Sequence, residues 1–451
     1  MQTWKDQTLM LRLASRVELL PVAVQCVETA AGVFGLSREE ALKLSLATEE
    51  IFACLCRDVC RGEPVEIECL NRLYYTQVRF RFAVSDLNLG GLNIASTLTD
   101  DPETASEHMG LMLAARSVDR LNLVAEKQHR LSLTLDKEKA YPPAQQSPLP
   151  PPDPAGVMAP APPDREALKQ FAIRVAQACP VPLRPPFFSY PGKVADMVES
   201  GEYEAVAAGT PKGDVTGGVL FKFRTDRIVQ LFGPFVFTAP AEAETAERLL
   251  EACVYRVARG KAIGLMSLDG VPASLEAHFE PLGTLNYHRE NGESFPRRCY
   301  YRLLHEDPGS AVWTHTALRD YLDGEYRRLI LARDIKVVQD LGETRLGHSI
   351  FSTETDRDMS AVTLKPLWPG ADFAANVERH TRMLQEERML NLFFVLDLGV
   401  SWHADLVPAL LANGFRPEII LPFAGQADLV VFQHQAREAS QISRGAADLK
   451  R

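Results

Sequence analysis

A stretch rich in proline and alanine, YPPAQQSPLPPPDPAGVMAPAPPD at residues 141–164, divides this chain into parts that fold separately. It is nearly uncharged and lacks the apolar side chains that build a core, and such segments favour extended polyproline conformations. We interpret it as a semi-rigid tether between folded units, with a proline-rich ligand for a partner as the alternative. The chain has 451 residues, which is enough for about two to four domains.

Charge and composition exclude several classes of protein. The net charge of −10 argues against a direct nucleic-acid binder, which usually presents a basic face. The hydrophobic fraction of 46% and the charged fraction of 24% are ordinary for a globular protein. We find no apolar run of about 18 residues and no secretory signal in MQTWKDQTLMLRLASR, so we expect no membrane span and a cytoplasmic location.

The cysteines do not form a metal-binding pattern. Only Cys54, Cys56 and Cys60 cluster, and on a helix an offset of two residues points to different faces. We therefore predict ordinary buried thiols and no metal site.

Hydrophobic periodicity predicts a multidomain chain of the α+β and α/β classes, with a first unit at 1–140. Helices predicted at 15–34 and 38–58, strands, a helix at 107–119 and a final strand indicate an α/β sandwich, one antiparallel sheet under helices. The predicted strands are 65–71, 75–85 and 130–136. Ser37 with Glu40 is a capping box that starts the second helix. We expect the tail at 437–451 to be disordered.

Two further units are predicted at 165–305 and 306–436, and they share one order of elements. Each has a helix, a buried apolar strand, a short helix and a final strand pair, which is consistent with a weak internal duplication. This order resembles the GNAT fold of acetyl-CoA-dependent N-acyltransferases, and LLANGF at 410–415 resembles the end of that family's fourth helix. The resemblance implies two GNAT-like mixed-sheet domains, the second of them degenerate.

Three segments of the first unit occur in an order typical of one nucleotide site. A helix that carries carboxylates at 42–59 is followed by VSDLNLGG at 84–91 and by HMGLMLAARSVDR at 108–120. The order resembles the GHKL, or histidine-kinase-type, ATPase superfamily, and most closely the anti-sigma-factor serine kinases of bacteria. In that family the helix supplies a Glu that activates water or a hydroxyl, which implies a catalytic role for Glu50. The magnesium-binding Asn four residues later is Cys54 here, and a thiol is a poor ligand for a hard cation.

The other two segments supply the predicted nucleotide contacts. The resemblance implies that Asp86 accepts a hydrogen bond from the adenine amino group, in a turn formed with Asn88 and Gly90. Gly110 and Leu111 would open a helix whose backbone N–H groups meet phosphates. ATP is therefore the implied cofactor. The implied partner is a sigma factor or an antagonist-like regulator, and the implied assembly is a homodimer through the N-terminal domain. We expect a regulatory protein that acts by binding its partner, with weak or no catalysis.

The GNAT-like units depart from their family at the diphosphate loop. The stretch TAPAEAETAERLL at 238–250 has no glycine and places Glu242, Glu244 and Glu247 where diphosphate should lie. The corresponding stretch at 368–380 has Gly370 without a Gly-x-Gly pattern. These departures argue against acetyl-CoA as a ligand and leave open whether the chain is an enzyme.

The Tyr that protonates the leaving thiolate in many GNAT enzymes is also replaced, by Phe279 in one unit and by Leu410 in the other. Another residue could substitute for it, although each candidate has a structural interpretation as well: Tyr255, His278, Tyr287, His288 and His403. The alternative function is therefore an acyl-CoA-dependent N-acetyltransferase of the GNAT superfamily.

Overall fold

The chain forms a mixed α/β, multidomain protein with several sheets. The computed structural model describes residues 7–60, 62–83, 93, 113–126, 130–144, 148–152, 157–180, 184–238, 242–339, 345, 347–356 and 359–435. Across these residues no helix is both long enough and apolar enough to cross a membrane.

The N-terminal unit is one antiparallel sheet of five strands, in the order β1-β2-β3-β5-β4. Its strands are β1 (Thr8–Ala14), β2 (Pro64–Asn71), β3 (Tyr75–Ala83), β4 (Arg120–Glu126) and β5 (Arg130–Glu138). Its helices are α1 (Leu20–Val33), preceded by a 3-10 turn at Val17–Leu19, and α2 (Arg38–Cys54), followed by a π turn at Leu55–Val59. Side chains of β2 alternate between buried and half-buried because one face of the sheet packs on the helices. Ser37 Oγ accepts from Glu40 N at 3.3 Å, as the capping box predicts.

Two strands of this unit were missed in the sequence, β1 and β4. Both are edge strands, and β1 has no buried residue, so its hydrophobic pattern gives no sign of a covered face. Of the helix predicted at 107–119, the described part is helical at 113–117 and is followed by β4.

The middle unit is a six-stranded sheet in the order β10-β11-β9-β8-β7-β6, in which only β8 and β9 are parallel neighbours. Its strands are β6 (Glu204–Gly209), β7 (Val215–Phe223), β8 (Ile228–Val236), β9 (Gly264–Ser267), β10 (Glu280–His288) and β11 (Ser294–Leu303). Its helices are α3 (Arg165–Ala178), α4 (Pro191–Glu199) and α5 (Glu242–Val257), with 3-10 turns at Pro186–Ser189 and Ala273–His278. One apolar cluster lies under α3 and α4, and a second lies under α5 on the other face of the sheet.

The proline-rich segment lies along the middle unit in its described parts, which differs from the tether that we predicted. Ala161 pairs with Ala207 of β6 through two backbone hydrogen bonds of 2.9 Å. Arg174 on α3 donates to the carbonyl of Pro150 at 3.0 Å. An extended segment without a core of its own can still add its backbone to an exposed sheet edge.

The C-terminal unit holds a second mixed sheet, of five strands in the order β14-β15-β16-β18-β17, and a parallel pair of β12 and β13. Its strands are β12 (Ser310–Thr314), β13 (Arg333–Val337), β14 (Ile350–Asp356), β15 (Ala361–Trp368), β16 (Asn391–Asp397), β17 (Phe415–Leu421) and β18 (Leu429–His434). Its helices are α6 (Thr316–Arg328), α7 (Phe373–Glu386) and α8 (Val407–Ala412), with a 3-10 turn at Ser401–Leu406.

The units contact one another directly. The edge strand β10 satisfies part of its backbone with side-chain amides of the C-terminal sheet: Asn286 N donates to Gln433 Oε1 at 3.1 Å, and His288 N donates to Asn391 Oδ1 at 2.7 Å. On the N-terminal side, β4 packs on β14, where Ser352 Oγ donates to Asn122 Oδ1 at 3.2 Å. One apolar cluster therefore runs from the N-terminal helices into the C-terminal sheet.

Candidate functional site

A cavity of about 870 Å³ lies where the three units meet, and we call it the junction cavity. It is lined mainly by charged and aromatic side chains, and all three units contribute to them. The polar and tyrosine side chains are Tyr74, Tyr75, Arg120, Asp136, Glu202, Tyr203, Lys222, Arg224, Glu354, Lys365, Asp397 and His403.

The cavity lies where two parallel strands of the C-terminal sheet separate. The register of β15 with β16 runs from Ala361 opposite Asn391 to Leu364 opposite Phe394 and ends there. Both strands continue beyond that point. The residues that follow the last pair, Lys365 on β15 and Val395 on β16, line the junction cavity. Ligands of mixed and parallel sheets characteristically bind at the carboxyl ends of strands, where neighbouring strands part.

The N-terminal wall joins two tyrosines to a carboxylate of the middle unit. Tyr74 Oη donates to Glu202 Oε2 at 2.6 Å, and Tyr75 Oη donates to Glu202 Oε1 at 2.9 Å. Burial, with the nearby Glu202 charge, raises the pKa of both tyrosines. The Arg120 guanidinium lies 4.8 Å from the centre of the Tyr75 ring and donates to Asp136 Oδ2 at 3.1 Å. Each carboxylate oxygen of Glu202 thus accepts one hydrogen bond.

The middle unit contributes two cations from the end of β7. Burial, together with the positive charges of Arg224 and Arg120, lowers the pKa of Lys222 to about 8. Lys222 Nζ lies 3.2 Å from Tyr203 Oη and 5.1 Å from the centre of that ring. Burial raises the pKa of the Tyr203 hydroxyl to about 12, because it disfavours the charged phenolate. Lys222 is therefore partly neutral near pH 8 and can accept a proton there.

The C-terminal wall holds a neutral histidine. Asp397 N donates to His403 Nδ1 at 3.0 Å, which leaves the ring proton on Nε2. Burial lowers the pKa of His403 to about 3, so the imidazole stays uncharged at neutral pH. The Asp397 carboxylate accepts from Gly399 N at 2.9 Å and from Gln426 N at 2.7 Å. His403 can donate a hydrogen bond into the cavity, but it cannot act as a base through Nε2.

A further ion pair lies beside the point where β15 and β16 stop pairing. Lys365 Nζ lies 2.5 Å from Glu354 Oε1. Burial would raise the pKa of Glu354, but Lys365, Arg224 and Lys222 together lower it. Glu354 is therefore an ionised carboxylate that already has a cationic partner.

The start of the helix after each parallel strand differs between the two mixed sheets. The first turn of α5 carries Glu242 and Glu244, which repel a phosphate. The first turn of α7 has no acidic residue, and no side chain caps its N–H groups. Asp372 precedes this turn, and its carboxylate accepts from Ser349 N at 2.6 Å and from Arg379 at 2.9 Å. The start of α7 therefore fits an anion such as a diphosphate, and the start of α5 does not.

The residues predicted for a nucleotide site are separate from this cavity as far as they are described. Glu50 is half-buried on α2, and Cys54 is buried in the core at the end of that helix. Neither lines the junction cavity. The remaining predicted contacts lie outside the described residues: Asp86, Asn88, Gly90, Gly110 and Leu111. The predicted protein partner and the homodimer stay predictions.

Among the five candidates proposed for the GNAT-like units, His403 alone lines the junction cavity. Tyr255 is 64% exposed on α5, and His278 lies 3.9 Å from Glu247 on the surface. Tyr287 packs between Phe295 and Phe393. Phe279 and Leu410, at the positions of the family's Tyr, are buried in apolar clusters.

The sequence did not predict the two cations at the end of β7, Lys222 and Arg224, or the two tyrosines where β3 begins, Tyr74 and Tyr75. A signal for the former exists: Lys222 and Arg224 follow the buried run VTGGVLF without a turn residue between them. A charged residue in a strand whose neighbours are buried indicates a partner or a cavity, because an ion is costly to remove from water.

Cysteine is not the nucleophile of this site. Six cysteines are buried, and burial raises the pKa of Cys56 to about 11 and the pKa of Cys60, Cys69, Cys253 and Cys299 to about 12. Such thiols stay protonated at neutral pH and are poor nucleophiles.

Comparison with known proteins finds similarity to acetyltransferases of known structure. Aminoglycoside 6'-acetyltransferase type Ii is 19% identical over 34% of this chain and 100% of its own, with a TM-score of 0.27. An aminoglycoside 6'-N-acetyltransferase complexed with coenzyme A is 16% identical over 34% of this chain and 99% of its own, with a TM-score of 0.28. A GNAT superfamily phosphinothricin acetyltransferase (Pat) from Sinorhizobium meliloti, in complex with AcCoA, is 17% identical over 33% of this chain and 89% of its own, with a TM-score of 0.26.

No family model matches the chain, and no curated protein matches it. About a third of the chain is thus similar to GNAT acetyltransferases, while the predicted ATPase-like character of the N-terminal unit has no counterpart in these findings. The cofactor prediction was wrong. Two of these solved neighbours hold CoA or AcCoA, the ligand that we had argued against, and nothing found supports ATP.

Proposed function

We propose that this protein is an acyl-CoA-dependent N-acyltransferase whose reaction takes place in the junction cavity. One observation carries the proposal: β15 and β16 stop pairing after Leu364 and Phe394, and the residues that follow line a cavity with charged walls. Between separating strands, the facing backbone groups need new partners. An extended ligand that contains amides, such as the pantetheine arm of coenzyme A, supplies them in the manner of an added strand.

The residues at the start of α7 fit the phosphate end of such a ligand. The helix presents uncapped N–H groups in a turn that carries no acidic side chain. Arg379 neutralises the Asp372 carboxylate that precedes this turn. When bound, acyl-CoA supplies an acyl group activated as a thioester. We assign its binding to the C-terminal unit rather than to the middle unit, because Glu242 and Glu244 occupy the equivalent turn of α5.

The cavity also holds groups that serve transfer to an amine. An amine attacks only in its neutral form, so a base must take the proton of the acceptor ammonium. Lys222 suits this role because its pKa is lowered to about 8. His403 keeps its proton on Nε2 and lines the same cavity, so it can donate to an oxygen or sulfur that gains negative charge. It stabilises that charge by a hydrogen bond and keeps its proton, so it does not replace the proton donor whose position Leu410 occupies.

A negative charge added at the start of α7 tests this proposal. Ala374 is an exposed residue in the first turn of α7, and an added carboxylate there opposes a diphosphate at the helix N-terminus. We expect Ala374→Glu to raise the Kd for coenzyme A by roughly fivefold in isothermal titration calorimetry, which corresponds to about 1 kcal/mol.

The matched control is Ala243→Glu, which adds the same charge to the exposed first turn of α5. It is expected to leave the Kd unchanged. Absence of saturable coenzyme A binding to the wild type would overturn the proposal. A larger effect of Ala243→Glu than of Ala374→Glu would assign the cofactor to the middle unit instead.

A further inference from the structure

One arginine of the junction cavity, Arg224, has no carboxylate in direct contact within the described part of the chain, although the charge of Glu354 acts on it at longer range. Among the described residues, no carboxylate oxygen lies within 4 Å of the Arg224 guanidinium, and no acceptor receives a hydrogen bond from it. The other arginine and the second lysine of the cavity wall are paired, Arg120 with Asp136 and Lys365 with Glu354. Arg224 is half-buried at the end of β7, two residues after Lys222.

A partly buried guanidinium without a carboxylate in direct contact is unfavourable. Burial lowers the pKa of Arg224, yet a guanidinium keeps its charge at any ordinary pH. Its five N–H donors form a planar fork that matches the two oxygens of a carboxylate. A ligand that brings a carboxylate into the cavity would therefore supply the direct partner that Arg224 lacks among the described residues.

The carboxylates of the cavity already have partners, which argues against a ligand with several positive charges. Glu202 accepts from two tyrosine hydroxyls, and Asp397 accepts from backbone N–H groups on both oxygens. Asp136 and Glu354 are held by Arg120 and Lys365. A ligand with several positive charges would find no available carboxylate here and would face Arg224 at close range. This excludes polycationic amines as well-matched acceptors.

We propose that the acyl acceptor is a small amine that also carries a carboxylate, in the manner of a free α-amino acid, with its carboxylate bound by Arg224. The acylation of this ligand rests on the proposed function, but its binding does not. Lys222 precedes Arg224 by two residues and lines the same cavity, so it is placed to take the proton of the amino group while Arg224 holds the carboxylate. The exposed ring of Phe223, at 47% exposure, lines the same cavity and offers an apolar surface for a side chain.

The test measures binding without any acyl donor. The twenty common L-amino acids are screened one at a time against the full chain at millimolar concentration by thermal shift, and each one that binds is compared with its own carboxamide. We expect at least one amino acid to stabilise the protein and its carboxamide to bind at least tenfold more weakly. The screen overturns the proposal if no amino acid binds, or if amides bind as well as acids.

Two variants of Arg224 separate charge from geometry. Arg224→Gln removes the positive charge, and Arg224→Lys keeps the charge but loses the planar set of N–H donors. We expect Arg224→Gln to abolish the preference for acid over amide, and Arg224→Lys to weaken acid binding by about tenfold. The control is Arg327→Gln, which alters a side chain that is 82% exposed and does not line the cavity, and it should change neither the preference nor the affinity. Retention of the preference in both Arg224 variants would contradict the assignment.

The two proposals fail separately. Release of CoA thiol is then measured with acetyl-CoA and the amino acid that binds best. Amino-acid binding without thiol release would support the carboxylate site and contradict the acyltransferase function. Thiol release with an amine that lacks a carboxylate would keep the function and remove the carboxylate site.

Discussion

Individual side chains decide the chemistry of the junction cavity, and Lys222 is the clearest case. Its pKa is lowered to about 8 by burial and by the facing charges of Arg224 and Arg120, while Glu202 and Glu354 oppose the shift. Below that pH the ammonium holds its proton and cannot serve as a base. We therefore expect the rate of CoA thiol release to rise with pH and to level off above about pH 8.

Lys222→Arg places a permanently charged group at the same point and is expected to lower this rate by about a hundredfold or more at pH 8. Arg224→Gln removes a repelling charge, so the inflection should move to higher pH. Lys212→Arg, in the exposed turn between β6 and β7, serves as the control. A rate profile that keeps the wild-type inflection in Lys222→Arg would exclude Lys222 as the base.

At the level of elements, the contact between β10 and β17 holds the middle unit against the C-terminal sheet. Gly283 of β10 has φ +137°, and a Cβ there would lie 2.8 Å from Ile419 Cγ2 and 3.0 Å from the carbonyl oxygen of Glu418. No ordinary side chain fits that space, so the strands must separate. We expect Gly283→Ala to lower the free energy of unfolding by about 2–4 kcal/mol in urea denaturation, from overpacking together with backbone strain.

Gly292→Ala is the matched control, because its φ of +82° is also strained for alanine but no atom lies within 4 Å of the added Cβ. It should cost only about 1 kcal/mol, the price of the backbone conformation alone. Equal losses in the two variants would mean that the strands do not meet closely at this point.

The molecule as a whole should be sensitive to acid through its buried histidines. Burial lowers the pKa of His380 to about 4 and that of His403 to about 3. The unfolded chain binds a proton at each histidine near pH 6.5, while the folded chain does not. Their contribution is therefore complete above about pH 6.5 and is lost as the pH falls toward 4 and 3. We expect about 2 kcal/mol lost per histidine between pH 7.5 and pH 5.

His380→Leu isolates one of these contributions by urea denaturation at both pH values. His380 Nε2 is buried without a hydrogen-bond partner among the described residues, so an apolar replacement should cost little at pH 7.5. Its loss of stability on acidification should be smaller than that of the wild type by about 2 kcal/mol. An unchanged pH dependence would show that His380 titrates normally in the folded protein.

Local pattern was enough to predict most helices and strands of the middle and C-terminal units. Apolar side chains recur at helical spacing over 165–178 and 371–388, which predicts a helix in each range, and the structure has α3 and α7 there. The same reasoning missed β12 and β13, which are five-residue strands that form a parallel pair only with each other. A strand that short has too little pattern of its own to stand out.

The junction cavity could not be read from the chain in the same way, because its walls come from three units and its charges are set by burial. Tyr74 and Glu202 are 128 residues apart and meet only when the N-terminal sheet packs on the middle unit. Lys222 is an ordinary lysine in the sequence and acquires a lowered pKa only inside the folded protein. Short-range periodicity therefore determined the helices and strands. Contacts between sequence-distant side chains, and the water that they exclude, decided where the cavity lies and which of its groups are charged.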